Sequence, residues 1–306
     1  MYDLIIIGGG PAGLAAASYA LGKRRNFLLI YAQLGGRAGA RQSLVGPPAP
    51  EYLAGAEAVR QLGQLLSAQA RHVLNDQVDR VEHMDGSFQV ATAQHGVYTS
   101  TTLIVATGAA AQQLDVPGAR ALLGQGLGYS ATTHAPLLGG RAAAVVGASA
   151  RALRGALELA HAAAQVFLII PDQTPLAAPM RSAVAHLPNV EVLVGYQVRE
   201  VVGPMHLTEL VLVRDHDERR LRVDAAFIAL GLVPNSAIVS QIVHTNSAGF
   251  IQVDQHNATS LPGLFAAGDV TSTQVEQVLI AIGDGTRAAM SAHDYLLQRK
   301  PGPGAA

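Results

Sequence analysis

The sequence contains no cysteine and no tryptophan, and only 14% of its 306 residues are charged. The absence of cysteine excludes thiol catalysis by this chain and is typical of a cytoplasmic protein. A formal net charge of -1 gives no electrostatic reason to expect nucleic acid or an anionic membrane as a partner. The 11 histidines show no metal-ligand spacing, so we expect no metal site.

Long uninterrupted apolar runs are also scarce. The stretch from Leu4 to Gly22 has no charged residue and is long enough in principle to span a bilayer, but Gly8–Pro11 interrupts it. A helix that spans a bilayer needs about 20 predominantly apolar residues without such a break. We therefore expect a buried strand and helix here, and no membrane segment.

A glycine-rich turn lies at the start of the chain. The apolar run Leu4–Ile7 leads into Gly8, Gly10 and Gly13, and an alanine-rich helical pattern follows. This spacing suits a dinucleotide-binding turn, because the first glycine permits the bend, the second admits a pyrophosphate and the third packs helix on strand. The free N–H groups at the helix start then hold the phosphates. The next apolar run, Phe27–Ile30, supplies the second strand of the predicted βα unit.

A second βα pattern begins near the middle of the chain. Ala142–Val146 predicts a strand, Gly147–Ala152 a turn, Leu153–Ala163 a helix and Val166–Ile170 the next strand. A hydrophobic content of 49% suits such strands, which parallel sheets bury on both faces. The charged segment Asp215–Arg220 is expected to form a solvent-facing turn.

The order of these units predicts the domain organisation. We expect an α/β fold with two dinucleotide-binding, Rossmann-like three-layer domains, the second inserted in the first. The outer domain would comprise residues 1–112 and 233–306, and the inserted domain residues 113–232.

Further short motifs occur in a fixed order along the chain. They are Gly35-Gly36, Ala106-Thr107-Gly108, Gly231-Leu232-Val233-Pro234-Asn235 and Ala266-Ala267-Gly268-Asp269-Val270. Together with the first glycine turn, this series resembles the low-molecular-weight thioredoxin reductases. These are FAD-dependent members of the pyridine nucleotide-disulfide oxidoreductase family.

The resemblance implies an FAD site in the outer domain. Asp269 would lie at the ribityl–pyrophosphate region and Gln277 near the polar edge of the flavin. Tyr31 stands where the family has an acid for the adenosine ribose, so we expect FAD to bind with lower affinity. The implied FAD-binding residues are Gly8, Gly10, Pro11, Ala12, Gly13, Tyr31, Gly35, Gly36, Arg37, Ala106, Thr107, Gly108, Gly268, Asp269, Gln277 and Val278.

The redox-active pair of the family is missing. The resemblance aligns Ser130 and Thr133 with the two cysteines of its Cys-x-x-Cys motif. Hydroxyl groups cannot cycle between thiol and disulfide, so disulfide reduction by the family's route is excluded. His134 follows at the position of the family's acid. It is a candidate catalytic proton donor, with a solvated loop histidine as the alternative.

The implied nicotinamide site is also altered. Ser149 replaces the second glycine of the Gly147–Ala152 turn, in which Gly147, Ser149 and Ala150 are the implied nicotinamide-binding residues. Asp172 replaces the cationic residues that pair with the 2′-phosphate of NADPH. Binding of NADH or NADPH is therefore left open, and NADH is favoured if either binds.

These features predict an FAD-dependent oxidoreductase without redox-active cysteines. Its flavin would exchange electrons directly with a ferredoxin, a quinone, oxygen or a small molecule. One alternative is a flavin-binding structural or interaction module without turnover, and another is an enzyme like the NAD(P)H:ferredoxin reductases. The resemblance also implies a homodimer.

Overall fold

The computed structural model of the chain describes residues 1–39, 54–171, 182–184, 186–272 and 276–299. The described residues form two compact units. One comprises those up to Ala110 together with those from Val233 onward, and the other comprises Ala111–Leu232. The first boundary therefore lies two residues before the one expected from the sequence, and the second lies between residues 232 and 233 as expected.

Both units contain strands and helices. In chain order the strands are β1 (Tyr2–Ile7), β2 (Phe27–Tyr31), β3 (Val73–Asn75), β4 (Val78–Met84), β5 (Ser87–Thr92), β6 (Gly96–Val105), β7 (Ala109–Ala111), β8 (Leu127–Gly128), β9 (Ala142–Val146), β10 (Gln165–Ile170), β11 (Val190–Val194), β12 (Gln197–Val202), β13 (Glu209–Arg214), β14 (Asp217–Arg222), β15 (Ala225–Ile228), β16 (Leu232–Pro234) and β17 (Leu264–Ala266).

The helices are α1 (Pro11–Gly22), α2 (Ala54–Ser67), α3 (Ala119–Leu122), α4 (Ala131–His134), α5 (Ala150–Ala160) and α6 (Val278–Gln298). None of the helices in the described part of the chain is long and apolar enough to cross a membrane.

The first unit is built on one sheet in the order β3-β2-β1-β6-β5-β4, with β17 paired to β6. Strands β1, β2 and β6 run parallel, and β4 and β5 form an antiparallel hairpin. Asp85 and Gly86, which join the hairpin strands, have φ angles of 51° and 71°. Two consecutive positive φ angles are what a tight hairpin turn of type I′ requires.

Strand β1 is buried on both faces of this sheet. Leu4 and Ile6 pack in the cluster that contains residues of α1 and α6, whereas Ile5 and Ile7 pack in a second cluster with Phe88. Successive side chains of a strand point to opposite faces, so a continuous apolar run fills both clusters. This burial explains why the strand is an unbroken hydrophobic segment in the sequence.

The second unit has three layers. Its central sheet is parallel in the order β11-β10-β9-β15-β8. Residues of α5 pack on one face, where Val145 and Phe227 are buried. Residues of the antiparallel β12-β13-β14 sheet pack on the other face, where Val146 and Ile228 are buried. The structure therefore confirms the α/β class and the Rossmann-like layering.

The charged segment after Arg214 differs from the expected turn. Only Asp215 and His216 form the turn, and β14 begins at Asp217. Strand β14 lies at the edge of its sheet and directs Leu221 into the core, while Arg220 pairs with Glu209 across the strands at 2.8 Å. Edge strands tolerate such charges because one side faces solvent.

A buried carboxylate orders the chain beyond β3. Asp76 accepts hydrogen bonds from the backbone N–H groups of Gln77, Gln94 and His95, at 2.7–3.1 Å. The His95 ring lies 2.7 Å from the same carboxylate. Burial acts to raise the pKa of Asp76, but these hydrogen bonds outweigh it and hold the pKa well below the usual range.

We expect Asp76→Asn to lower the melting temperature by a few degrees at pH 7, because an amide N–H would face backbone donors. The folded pKa of Asp76 lies below its unfolded value of about 3.9, so its stabilisation is present above that pH and lost as the pH falls below it. Thermal melts from pH 7 to pH 3 measure this effect. The variant Asp79→Asn, which alters an exposed carboxylate on β4, is the control. Equal losses in both variants at pH 7 would contradict the role of Asp76.

Candidate functional site

The first glycine turn connects β1 to α1 and allows no side chain at two of its positions. Gly8 has a φ of +118°, and a Cβ there would lie 2.2 Å from the carbonyl oxygen of Ala106. A Cβ at Gly13 would lie 1.8 Å from the carbonyl oxygen of Gly8. The strand and helix approach each other this closely only because both residues are glycine.

Gly10, by contrast, faces open space. A Cβ at this position would meet no heavy atom of the described residues within 4 Å. Gly10 is the N-cap of α1 and supplies no side-chain cap, and the first turn of α1 contains no acidic residue. The N–H groups of this turn are therefore available to an anion. The arrangement fits the pyrophosphate of a dinucleotide.

The segment after β2 lies against this turn. Gly35 donates its backbone N–H to Gly9 at 2.7 Å, and a Cβ at Gly36 would lie 3.0 Å from the Cα of Gly10. A Cβ at Gly9 would lie 2.7 Å from the Cβ of Tyr31. Tyr31 therefore packs directly beside the glycine turn. The spacing of the glycine motif does not show that position 9 has no space for a side chain, because the restricting residue, Tyr31, lies on β2.

The Gly268-Asp269 turn meets the same site from the other end of the chain. Gly268 has a φ of +73°, and a Cβ there would lie 3.1 Å from the Cβ of Ala12. The Asp269 carboxylate forms an ion pair with Arg37, whose guanidinium also lies 3.6 Å from Glu276. Arg37 and Asp269, which the resemblance assigns separately to the cofactor, thus share one ion-pair cluster.

Asp284 is a buried residue of this site that the sequence motifs do not reveal. It is 5% exposed on α6 and accepts a hydrogen bond from the backbone N–H of Gly268. Burial raises the pKa of Asp284, while the charge of Arg287, at 3.3 Å, acts in the opposite direction. Its position between Gly283 and Gly285 on the packed face of the helix was the available signal. Asp284 anchors the Gly268 turn to α6.

The Ala106-Thr107-Gly108 segment lies where β6 ends. Thr107 donates its hydroxyl to the carbonyl of Asn235 at 2.7 Å, and Asn235 donates its amide to the carbonyl of Thr107 at 2.9 Å. Asn235 also donates its backbone N–H to Gly108 at 3.0 Å. These bonds join two motifs that are more than one hundred residues apart in the sequence.

The start of α6 forms the last part of the implied FAD site. The helix begins at Val278, and its N-cap Gln277 is extended and makes no side-chain cap. The first turn contains no acidic residue. The positive end of the helix dipole is therefore available to stabilise negative charge.

The second glycine turn differs from the first at its helix start. Gly147 has a φ of +143° and retains the close approach, since a Cβ there would lie 2.3 Å from the carbonyl oxygen of Ala229. Ser149, however, caps α5, which begins at Ala150: its hydroxyl accepts from the N–H of Ala152 and donates to Ala229, both at 3.2 Å. The backbone N–H of Ala152, which a bound phosphate would use, therefore already donates to the Ser149 hydroxyl. Asp172, the other implied residue, lies outside the described residues.

The segment aligned with the redox pair contains two bonded hydroxyls. The Oγ of Ser130 and the Oγ1 of Thr133 are 2.7 Å apart. Between them, Ala131 packs on α5, where a Cβ at Gly155 would lie 2.7 Å from the Ala131 side chain. This hydrogen bond therefore joins the two positions that the resemblance aligns with the Cys-x-x-Cys motif.

His134 is buried and not a solvated loop residue. It is 2% exposed, its Nδ1 lies 2.9 Å from the carbonyl oxygen of Ser130, and its ring stacks on Phe227 with centroids 5.9 Å apart. This environment favours a packing role. Its assignment as a catalytic proton donor stays a prediction.

Among the described residues, no group of three or more potential ligands is arranged to hold a metal ion.

The fold and the first glycine turn define a class, that of proteins built from Rossmann-like domains of the dinucleotide-binding type. The family described as "Pyridine nucleotide-disulphide oxidoreductase" matches residues 2–285. The chain belongs to this family of FAD-dependent oxidoreductases, which use NAD(P)H as electron donor.

Several relatives cover nearly the whole chain. It is 30% identical over 301 residues to an NADH dehydrogenase of Bacillus subtilis and 29% identical over 308 residues to one subunit of an alkyl hydroperoxide reductase in Staphylococcus aureus. Each match covers 97% of this chain and 59% of the relative, so the chain spans little more than half the length of these proteins. A thioredoxin reductase structure from Streptococcus pyogenes superposes with a TM-score of 0.85 at 25% identity, covering 98% of this chain and 99% of that one.

Gly10 and Gly13 of the first turn provide a matched pair of substitutions. Gly10→Ala adds a methyl group in open space, so we expect the FAD-free protein to melt within about 2 °C of the wild type. The methyl would block the phosphate, so the dissociation constant for FAD should rise at least about tenfold. Gly13→Ala should abolish folding of the first unit. Quenching of FAD fluorescence and thermal melts measure both effects, and normal FAD affinity in Gly10→Ala would contradict the assignment.

The cap of α5 provides a second prediction. Ser149→Ala removes the hydroxyl that accepts from Ala152 and should lower the free energy of unfolding by about 1 kcal/mol. Ser149→Gly should cost only a few tenths of a kcal/mol, because glycine is a tolerated N-cap. Urea unfolding of the full chain followed by circular dichroism measures the difference. Both variants lack the capping hydroxyl, so an unfolding free energy of Ser149→Ala equal to that of the wild type would show that the capping bond does not stabilise the helix.

Proposed function

We propose that this chain is an FAD-dependent oxidoreductase in which the flavin exchanges electrons directly with its acceptor. The observation that carries the proposal is the hydroxyl pair of Ser130 and Thr133, 2.7 Å apart, in a chain without cysteine. Such a pair cannot store two electrons as a dithiol does. The flavin therefore has no internal sulfur relay to reduce.

The chain's own residues would bind and orient the cofactor. The N–H groups at the start of α1, next to Gly10, would hold the pyrophosphate, and Asp269 would lie at the ribityl–pyrophosphate region with Arg37 as its counter-ion. The N-terminus of α6 would stabilise negative charge on the reduced ring. When bound, FAD supplies hydride acceptance and the release of one or two electrons.

We propose only the chemical class of the molecule that exchanges electrons with the flavin. A ferredoxin-like redox protein, a quinone, oxygen or another small molecule would satisfy direct transfer. The name of the Bacillus relative, NADH dehydrogenase, makes NADH the first pyridine nucleotide to test as a donor. A homodimer remains part of the proposal and can be measured by sedimentation.

A flavin-binding module without turnover is the second candidate function. It is favoured by the second glycine turn, where the hydroxyl of Ser149 already occupies the N–H of Ala152. A chain that neither accepts electrons from a nicotinamide nor relays them through thiols would bind FAD without using it. An enzyme like the NAD(P)H:ferredoxin reductases is the third candidate, because it also transfers electrons without a dithiol.

Anaerobic stopped-flow absorbance of the FAD-loaded chain separates these functions. We expect the flavin to bleach faster than about 1 per second with NADH, NADPH or a low-potential protein donor, the pace of ordinary turnover. We also expect no reduction of a small aromatic disulfide, since the chain has no thiol. Bleaching by a nicotinamide would support the enzyme, bleaching by the protein donor alone would indicate a ferredoxin-type partner, and bleaching by none would favour the binding module.

A further inference from the structure

Arg151 makes hydrogen bonds at the carboxyl ends of two strands in the central sheet of the second unit. It lies in the first turn of α5, and its guanidinium donates to the carbonyl of Tyr129 and, at 3.4 Å, to the carbonyl of Ile228. Tyr129 follows β8, and Ile228 is the last residue of β15. One side chain therefore bridges the carboxyl ends of two neighbouring parallel strands.

This edge is where a nucleotide would lie in a doubly wound sheet. From β9 the chain continues to β10 and β11 on one side, whereas β15 and β8 lie on the other, so the order reverses between β9 and β15. Ligands of such sheets bind beyond the carboxyl ends of the strands at this reversal. Ser149 and Ala229 face each other here, and Arg151 extends across the adjoining strand ends.

Both polar side chains at this helix start are used internally. The hydroxyl of Ser149 binds the N–H of Ala152 and the carbonyl of Ala229, and the guanidinium of Arg151 binds two further carbonyls. The corresponding start of α1 has Gly10 as its N-cap and no side-chain cap. The two turns of this chain therefore differ in whether their donors are available to phosphate.

We propose that Arg151 is a specificity-determining residue that disfavours pyridine dinucleotides in the second unit. The guanidinium occupies the strand ends over which the nucleotide would extend. The Arg151 guanidinium can pair with a phosphate only if it breaks its hydrogen bonds to the carbonyl oxygens of Tyr129 and Ile228. Weak NADH and NADPH binding follows from this internal bonding, and removal of the guanidinium relieves it.

This inference refines the proposed function by identifying the donor class that the second unit disfavours. It is tested by nucleotide binding and not by flavin turnover, so the two proposals fail separately. The full chain, saturated with FAD, is titrated calorimetrically with NADH and with NADPH. Excess FAD keeps the first unit's site filled throughout the titration.

We expect Arg151→Thr to bind NADH at least about tenfold more tightly than the wild type. The matched control is Arg154→Thr, which removes the same charge from an exposed position on the same helix and should change the affinity by less than about twofold. A merely structural role for Arg151 predicts no gain in affinity, because a loosened fold binds ligands less well.

Two results would overturn the proposal. One is weaker NADH binding by Arg151→Thr, which would indicate that Arg151 binds the phosphate, or unchanged binding, which would indicate that Arg151 has no effect on the nucleotide. The other is a wild-type dissociation constant below about 10 μM, within the range of ordinary substrate binding. If Arg151→Thr does not fold, Arg151→Lys decides, because lysine keeps the charge but lacks the planar fork that reaches two carbonyls. Tighter NADH binding by the lysine variant supports the proposal, and weaker or equal binding refutes it.

Discussion

The close approach of β1 to α1 is the constraint on which the first unit depends. The helix begins against the carbonyl oxygens of Gly8 and Ala106, at distances that leave no space for a Cβ on Gly13 or on Gly8. This packing leaves the helix N-terminus uncapped beside Gly10, and the Gly268 turn and α6 close around it. The close packing of strand and helix thus leaves uncapped N–H groups at the start of α1, an arrangement that suits an anion.

The second unit repeats this architecture with a different outcome. Its parallel sheet and close glycine approach at Gly147 are retained, yet Ser149 caps the helix and Arg151 bridges the strand ends. These two side chains form internal hydrogen bonds at the carboxyl ends of the strands. The same fold therefore carries different hydrogen bonding at the start of its first helix, since the fold depends on the core and the polar contacts depend on the edge.

The Ser130–Thr133 hydrogen bond shows the same separation between structure and chemistry. The Oγ of Ser130 and the Oγ1 of Thr133 lie 2.7 Å apart at the start of α4, and the buried His134 ring stacks on Phe227. The segment keeps a structural role without any redox capacity.

The fold class, the order of the two units and the family were readable from the sequence, because glycine spacing and apolar runs report local geometry directly. Contacts between distant segments were not readable. Gly9 is restricted by Tyr31, Asp284 anchors the Gly268 turn from α6, and Arg37 pairs with Asp269 across more than two hundred residues. The charged run at Asp217 became an edge strand because its partner strand was available. The sequence by itself determined where the glycine turns and the buried parallel strands lie, whereas only the tertiary structure decided which charged segment pairs as an edge strand and which donors and charges form hydrogen bonds, because these partners are set by proximity in space.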